Sequence, residues 1–232
     1  MELAGGNEFD VPIGHIVTPN ITPDAETGVG RWTDEQITTA IREGKRPDGS
    51  TIGPIMPFAF YRQISDNDLK AIIAYLRSIP PVNHKVERST YTISLPPSYG
   101  PPVTSVPDVA RDNEVIYGAY LTGPVGHCLE CHTPLVQGKL DMAHAGAGGR
   151  PLPAFVPGGG VIHSRNITNS PTNGLGKWSD EQIKKAINSG VRPDGSHLVP
   201  TMGFAWYTHI SDADLNAIVA YLRTVKPVDP QP

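Results

Sequence analysis

The chain repeats itself. Residues Asn20 to Val82 align without a gap onto Asn166 to Val228 at a constant offset of 146, with 36 identities in 63 positions. Asn20-Ile21-Thr22 recurs as Asn166-Ile167-Thr168, and Arg46-Pro47-Asp48-Gly49-Ser50 recurs as Arg192-Pro193-Asp194-Gly195-Ser196. Identity at this level over this length means two copies of one folding unit. A chain of 232 residues is long enough for two modest domains.

Each copy contains two readable helices. Thr33-x-x-Gln36 and Ser179-x-x-Gln182 are capping boxes. They open helices that run through Ile37, Ala40 and Ile41, or Ile183, Ala186 and Ile187, and stop at Gly44 or Gly190. The second helix starts at Ser65 or Ser211. Its apolar face is Leu69, Ile72, Ile73 and Leu76, matched by Leu215, Ile218, Val219 and Leu222, with Pro80 or Pro227 beyond its end. Copy two has a further helix, about Val109 to Leu121, whose Gly118 would let the last helix approach closely. No alternating strand pattern is readable. Residues 83–107 include Pro96, Pro97, Pro101, Pro102 and Pro107 and read as a stiff extended linker. The expected organisation is an incomplete first domain at 1–82, that linker, and a second domain at 108–232.

Both cysteines lie in Cys128-Leu129-Glu130-Cys131-His132. Cys-x-x-Cys-His is the attachment signature of c-type haem. Two thiols one helical turn apart reach two vinyl groups of one porphyrin, and the adjoining imidazole is held under the iron. A zinc site would need a second close pair of thiol or imidazole ligands, and a thioredoxin-like pair would follow a strand. Neither context is present in the sequence. The composition agrees: with 24 glycines, 24 prolines and 38% hydrophobic residues, a buried porphyrin would organise short helices and long loops.

Met202, in Pro200-Thr201-Met202-Gly203-Phe204, is the candidate for the other face of the iron, and Met56 is its counterpart in copy one. A thioether favours reduced iron and suits electron transfer. Met142, His144 and His163 are rivals without a matching residue in copy one, and His127, His197 and His209 read as surface or hydrogen-bonded residues. Asn166, Thr168 and Trp178 are candidates to donate hydrogen bonds to haem propionates. Turn chemistry for the first two and core packing for the tryptophan stand beside that reading. Projected back by 146, the attachment motif falls before residue 1, so copy one lacks it. The expectation is a chain that starts partway through a longer protein, with genuine loss of the first cofactor as the alternative.

In combination, Cys-Leu-Glu-Cys-His-Thr-Pro, Asn-Ile-Thr, Gly-x-Gly-x-Trp-(Ser/Thr)-Asp-Glu-Gln, Arg-Pro-Asp-Gly and the loop methionine resemble the periplasmic class I cytochromes c of mono- and dihaem type. They are especially similar to the cytochrome subunits of alcohol and gluconate dehydrogenases. The resemblance covers nearly the whole chain apart from the linker. It implies a mainly α fold of tandem class I cytochrome c-like domains. It also implies thioethers at Cys128 and Cys131, iron ligands at His132 and Met202, and Met56 as distal ligand of a first haem. One haem c is expected from this chain's own motif, and a second only if the natural chain extends upstream.

The expected function is a periplasmic electron carrier, or an electron-accepting subunit for a dehydrogenase, rather than an enzyme. The alternative is a dihaem redox enzyme of peroxidase or thiosulfate-oxidising type with a reactive haem. The expected partners are redox proteins, among them a periplasmic dehydrogenase. A net charge of −4 without clustering of either sign argues against nucleic acid, and no apolar run approaches the ~20 residues that cross a membrane. The expected location is the periplasm, soluble or peripherally attached to the membrane.

Overall fold

A computed structural model describes residues 3–154 and 160–229. Two compact units divide at residue 108: Met1–Asp108 and Val109–Pro232.

In the first unit, helix α1 (Asp34–Glu43) and helix α3 (Asp66–Ser78) flank a single turn, α2 (Phe58–Tyr61). Thr33 caps α1 through a reciprocal box with Gln36, and Gly44 ends it in the left-handed region at φ 67°. Ser65 caps α3 by accepting the Asp68 N–H at 3.1 Å. Val29, Ile37, Ile64, Leu69, Ile73 and Leu76 form the core between these helices. The sequence patterning missed strand β1 (Glu8–Val11) and strand β2 (Gly14–Val17), which form a hairpin with β3 (Thr90–Tyr91) on its edge. These strands are only two to four residues long, too short for alternation to register.

The proline-rich stretch is not detached from the first unit. Beyond β3 it returns as a strap across α2 and the start of α3. The Tyr99 ring stacks on Phe58 at 4.6 Å, and its hydroxyl donates to the Ile52 carbonyl at 2.8 Å. The Val103 N–H donates to Glu43 at 2.9 Å. Asp66 accepts from Ser105 Oγ at 2.7 Å and from the Val106 N–H at 3.1 Å, while a buried Arg42 guanidinium lies 2.7 Å away. The polar groups between the prolines supply the docking.

The second unit holds helices α4 (Glu114–Tyr120), α5 (Cys128–Cys131), α6 (Asp180–Ser189), α7 (Phe204–Tyr207) and α8 (Asp212–Thr224). Two short antiparallel pairs join them: β4 (Leu135–Val136) with β5 (Lys139–Leu140), and β6 (Pro151–Pro153) with β7 (Val161–His163). Helix α4 begins at Asn113, which caps the Ile116 N–H, and so is shorter than the span expected from Val109. It passes into a π-type turn at Leu121–Val125 containing Pro124. Gly118 lies against α8: a Cβ there would meet the Ala217 carbonyl oxygen at 1.8 Å. Ile183, Ile218, Val219 and Leu222 form the core, with Trp178 packed on it.

The two units repeat fine detail. Arg77 holds Asp34 and the carbonyls of Val29 and Trp32, and Arg223 holds Asp180, Leu175 and Trp178 in the same way. The match extends upstream of the aligned sequence. Gly6 N–H donates to Thr18 O as Gly149 N–H donates to Ser164 O, and Asn7 N–H meets Thr18 Oγ1 as Arg150 N–H meets Ser164 Oγ. The hairpin between these positions is three residues longer in the second unit, which hid the correspondence from a gapless alignment.

Two outcomes follow. Gly118→Ala should destabilise the second unit by roughly 3 kcal/mol, because the obstacle is backbone and cannot rotate away; denaturant unfolding followed by Tyr and Trp fluorescence measures it. Hydrogen bonds from Ser105, the Arg42 guanidinium and the Val106 N–H hold the Asp66 carboxyl at about 2, below its ordinary 3.8. A depressed folded value means this stabilisation is complete above 3.8 and is lost as pH falls through about 2. Acidification across that range should release the strap, read as faster proteolysis between Tyr99 and Asp108, and Asp66→Asn should give the fast rate at neutral pH.

Candidate haem-attachment site

The site is built on one short helix and the base of one hairpin. His127 precedes α5 in the left-handed region at φ 39°, unusual for a side-chain-bearing residue. It follows the π-type turn, so the chain reverses sharply before the first cysteine. Cys128 and Cys131 then sit one turn apart as free thiols. Burial pushes the Cys128 thiol up to about 11; burial and the neighbouring Glu130 carboxylate push Cys131 up to about 12. Neutral thiols are poor nucleophiles, unlike the depressed thiols of disulfide-exchange pairs.

His132 closes the helix, and its Nδ1–H donates to the Arg165 carbonyl at 2.7 Å. That bond fixes both ring orientation and tautomer, and leaves Nε2 with a free lone pair. Burial lowers the imidazole pKa below its ordinary value, against the opposing effect of the Arg165 bond. The hairpin base supplies further ties. Gly148 N–H donates to His132 O at 2.8 Å, and Gly149 N–H to Ser164 O at 2.8 Å. Gly148 has φ 74°, and a Cβ there would lie 2.5 Å from the Arg165 carbonyl carbon, so this close approach requires glycine. Arg150, at the same base, reaches Glu130 Oε1 at 2.6 Å.

Met202 lies on a separate element, the turn leading into α7, where Phe204 N–H donates to its carbonyl at 2.9 Å. Met56 occupies the same turn in the first unit, with the equivalent bond from Phe58 also 2.9 Å. Among the rivals, Met142 is 54% exposed, His144 pairs with Asp141 at 2.6 Å, and His163 ends β7.

Asn166 and Thr168 are engaged elsewhere than a cofactor carboxylate. Asn166 Oδ1 accepts the Thr168 N–H and hydroxyl at 2.8 and 2.7 Å, and Asn166 Nδ2 donates to Val228 O at 2.6 Å. Asn20, Thr22 and Val82 make the same latch. These bonds close each repeat from its first residue to its last, with one Asn166 amide hydrogen and the Thr168 hydroxyl hydrogen committed in the second unit. Trp178 packs on the core, as the plainer expectation had it. Sequence reasoning missed Arg150, Gly148 and Arg165, which carry no motif; the nearest signal was the glycine pair Gly148-Gly149 just before the hairpin.

Residues 119–226 match the family model described as cytochrome c. A cytochrome c domain is present within the second unit, over those residues. The whole chain is similar to the cytochrome c subunit of alcohol dehydrogenase (quinone) from Gluconacetobacter polyoxogenes, at 38% identity over 98% of this chain and 51% of that protein. It is also similar to the fructose dehydrogenase cytochrome subunit of Gluconobacter japonicus, at 31% identity over 96% of this chain and 47% of the relative. A diheme cytochrome c-type protein of Cereibacter sphaeroides is 28% identical over 98% of this chain and 77% of its own length. The chain therefore spans about half the length of the dehydrogenase subunits it matches. A cytochrome c domain calls for haem c, and the donor set fits: two reduced thiols on one turn beside an imidazole whose second nitrogen is already committed. No described helix is long and apolar enough to cross a membrane.

The latch assignment is testable in both copies. Asn166→Ala and Asn20→Ala should each cost their unit about 1–3 kcal/mol by removing partners from buried polar groups. Comparable losses in the two units, with haem content and optical spectrum unchanged, mark a structural latch; a loss confined to Asn166→Ala would instead support a cofactor contact.

Proposed function

We propose that the chain is an electron-transfer cytochrome c, working with a dehydrogenase outside the cytoplasm, and that its second unit carries one haem c. The observation that carries this reading is the His132 Nδ1–H bond to Arg165 beside two neutral thiols. Cys128 and Cys131 would hold the porphyrin as thioethers: each thiol adds across a vinyl group, sulfur to one carbon and hydrogen to the other, with no net redox change. His132 Nε2 would ligate one side of the iron and Met202 the other. Bound haem supplies reversible one-electron Fe(III)/Fe(II) chemistry. The chain's own residues hold the imidazole in one orientation, and His132 and Met202 would be the two protein ligands to the iron. Trp178, packed on the core of this unit, would offer its indole N–H to a propionate.

The repeated latch, capping boxes and arginine clamps support reading the first unit as a second, incomplete cytochrome c-like domain, with Met56 its distal ligand if sequence upstream supplies an attachment motif. The names of the relatives, cytochrome subunits of dehydrogenases, support a dehydrogenase as electron donor.

Met202→Ala should open one axial position. The unmodified reduced protein should bind carbon monoxide slowly or not at all, and the variant rapidly and completely, with a lower midpoint potential. Rapid, complete binding by the unmodified protein would favour a reactive haem over a carrier.

A further inference from the structure

Arg150 and Glu130 form an ion pair next to the second attachment cysteine that neither the attachment motif nor the iron ligation requires. Arg150 Nη1 lies 2.6 Å from Glu130 Oε1 and also donates to the Glu130 carbonyl oxygen. Glu130 Oε2 accepts the Cys131 thiol hydrogen at 3.1 Å. The Arg150 and Glu130 side chains are only 19% and 23% exposed. Charge in such a setting is far less screened than on an open surface. The backbone of Arg150 is tied to Ser164, whose neighbour Arg165 holds His132. The first unit has neutral Asn7 at the corresponding place, so this charge belongs to the second unit alone.

Resting on the haem reading above, we infer that this pair is a potential-setting and positioning device: one positive and one negative charge held at the porphyrin edge, balanced against each other. After thioether formation Cys131 has no hydrogen left to donate. Glu130 then keeps Arg150 as its strong partner, and the carboxylate stays beside the sulfur. Ferric haem carries one more positive charge than ferrous. A lone guanidinium here therefore favours the ferrous state and raises the midpoint potential; a lone carboxylate favours the ferric state and lowers it. Arg150 also braces the last turn of α5, where it grips the Glu130 carbonyl.

The test is an optical redox titration of the haem-loaded full chain at fixed pH and low salt, with haem counted by pyridine haemochrome in every sample. Glu130→Gln should shift the midpoint upward, Arg150→Gln downward, and the double variant should return close to the starting value. Arg150→Lys should stay near the unmodified protein, because it keeps the charge, and this variant carries the test should Arg150→Gln load poorly. Loss of packing would move both single variants in the same direction, which overturns the proposal. Full haem content with unmoved potentials overturns it as well, and leaves the haem assignment intact. An unmodified protein without covalent haem overturns the functional reading and this inference with it.

Discussion

One hydrogen bond organises this molecule's chemistry: the 2.7 Å contact from His132 Nδ1–H to the Arg165 carbonyl. An imidazole that is free to rotate or to change tautomer presents no defined ligand. Here the ring is pinned from a segment 33 residues away in sequence, so the ligand can form only in a folded second unit. The pin itself depends on a hairpin base where Gly148 touches the Arg165 backbone and donates to His132. Attachment helix, hairpin base and imidazole are therefore one mechanical object. Outer partners of this kind orient a ligand and tune its basicity.

The repeat shows which parts of that object are scaffold and which are specialised. Both units keep the Asn-x-Thr latch, the capping boxes and an arginine that staples the Trp-containing turn to an aspartate. They differ where they meet other groups. The first unit has Arg42, Glu43 and Arg62, which anchor its strap; Asn188, Ser189 and Thr208 stand at those positions in the second. Phe58 and Phe60 are correspondingly buried, whereas Trp206, the counterpart of Phe60, is 63% exposed. Around the attachment helix the contrast reverses, with a charged Arg150 in place of Asn7. A duplicated framework has thus been given two different sets of side-chain chemistry on equivalent surfaces.

Much of the helical scaffold was legible in the sequence, because capping boxes, terminal glycines and a 3.6-residue apolar period are local signals. Helices α1, α3, α6 and α8 begin at the expected caps for this reason. The placing of Cys128 and Cys131 one helical turn apart was legible because their Cys-x-x-Cys spacing is itself a local signal. The three-stranded sheet was not, since its strands are too short to carry a period. Nor was the strap: proline content signals stiffness, but where a stiff segment docks depends on Glu43 and Asp66, both distant in sequence. The Asn166 and Thr168 assignment shows the limit most clearly. A polar pair recurring near a cofactor motif reads equally well as a ligand contact or a loop latch, and the Val228 carbonyl that completes the latch lies 62 residues away in sequence.

The central claim is that one haem is covalently held by Cys128 and Cys131. Intact-mass measurement of the chain purified from cells able to mature c-type cytochromes addresses it directly, paired with peptide mapping across residues 128–132. The account predicts one haem mass added to the polypeptide, located on the peptide that contains both cysteines, with no titratable thiol remaining. A polypeptide of unmodified mass with both thiols reactive would contradict it.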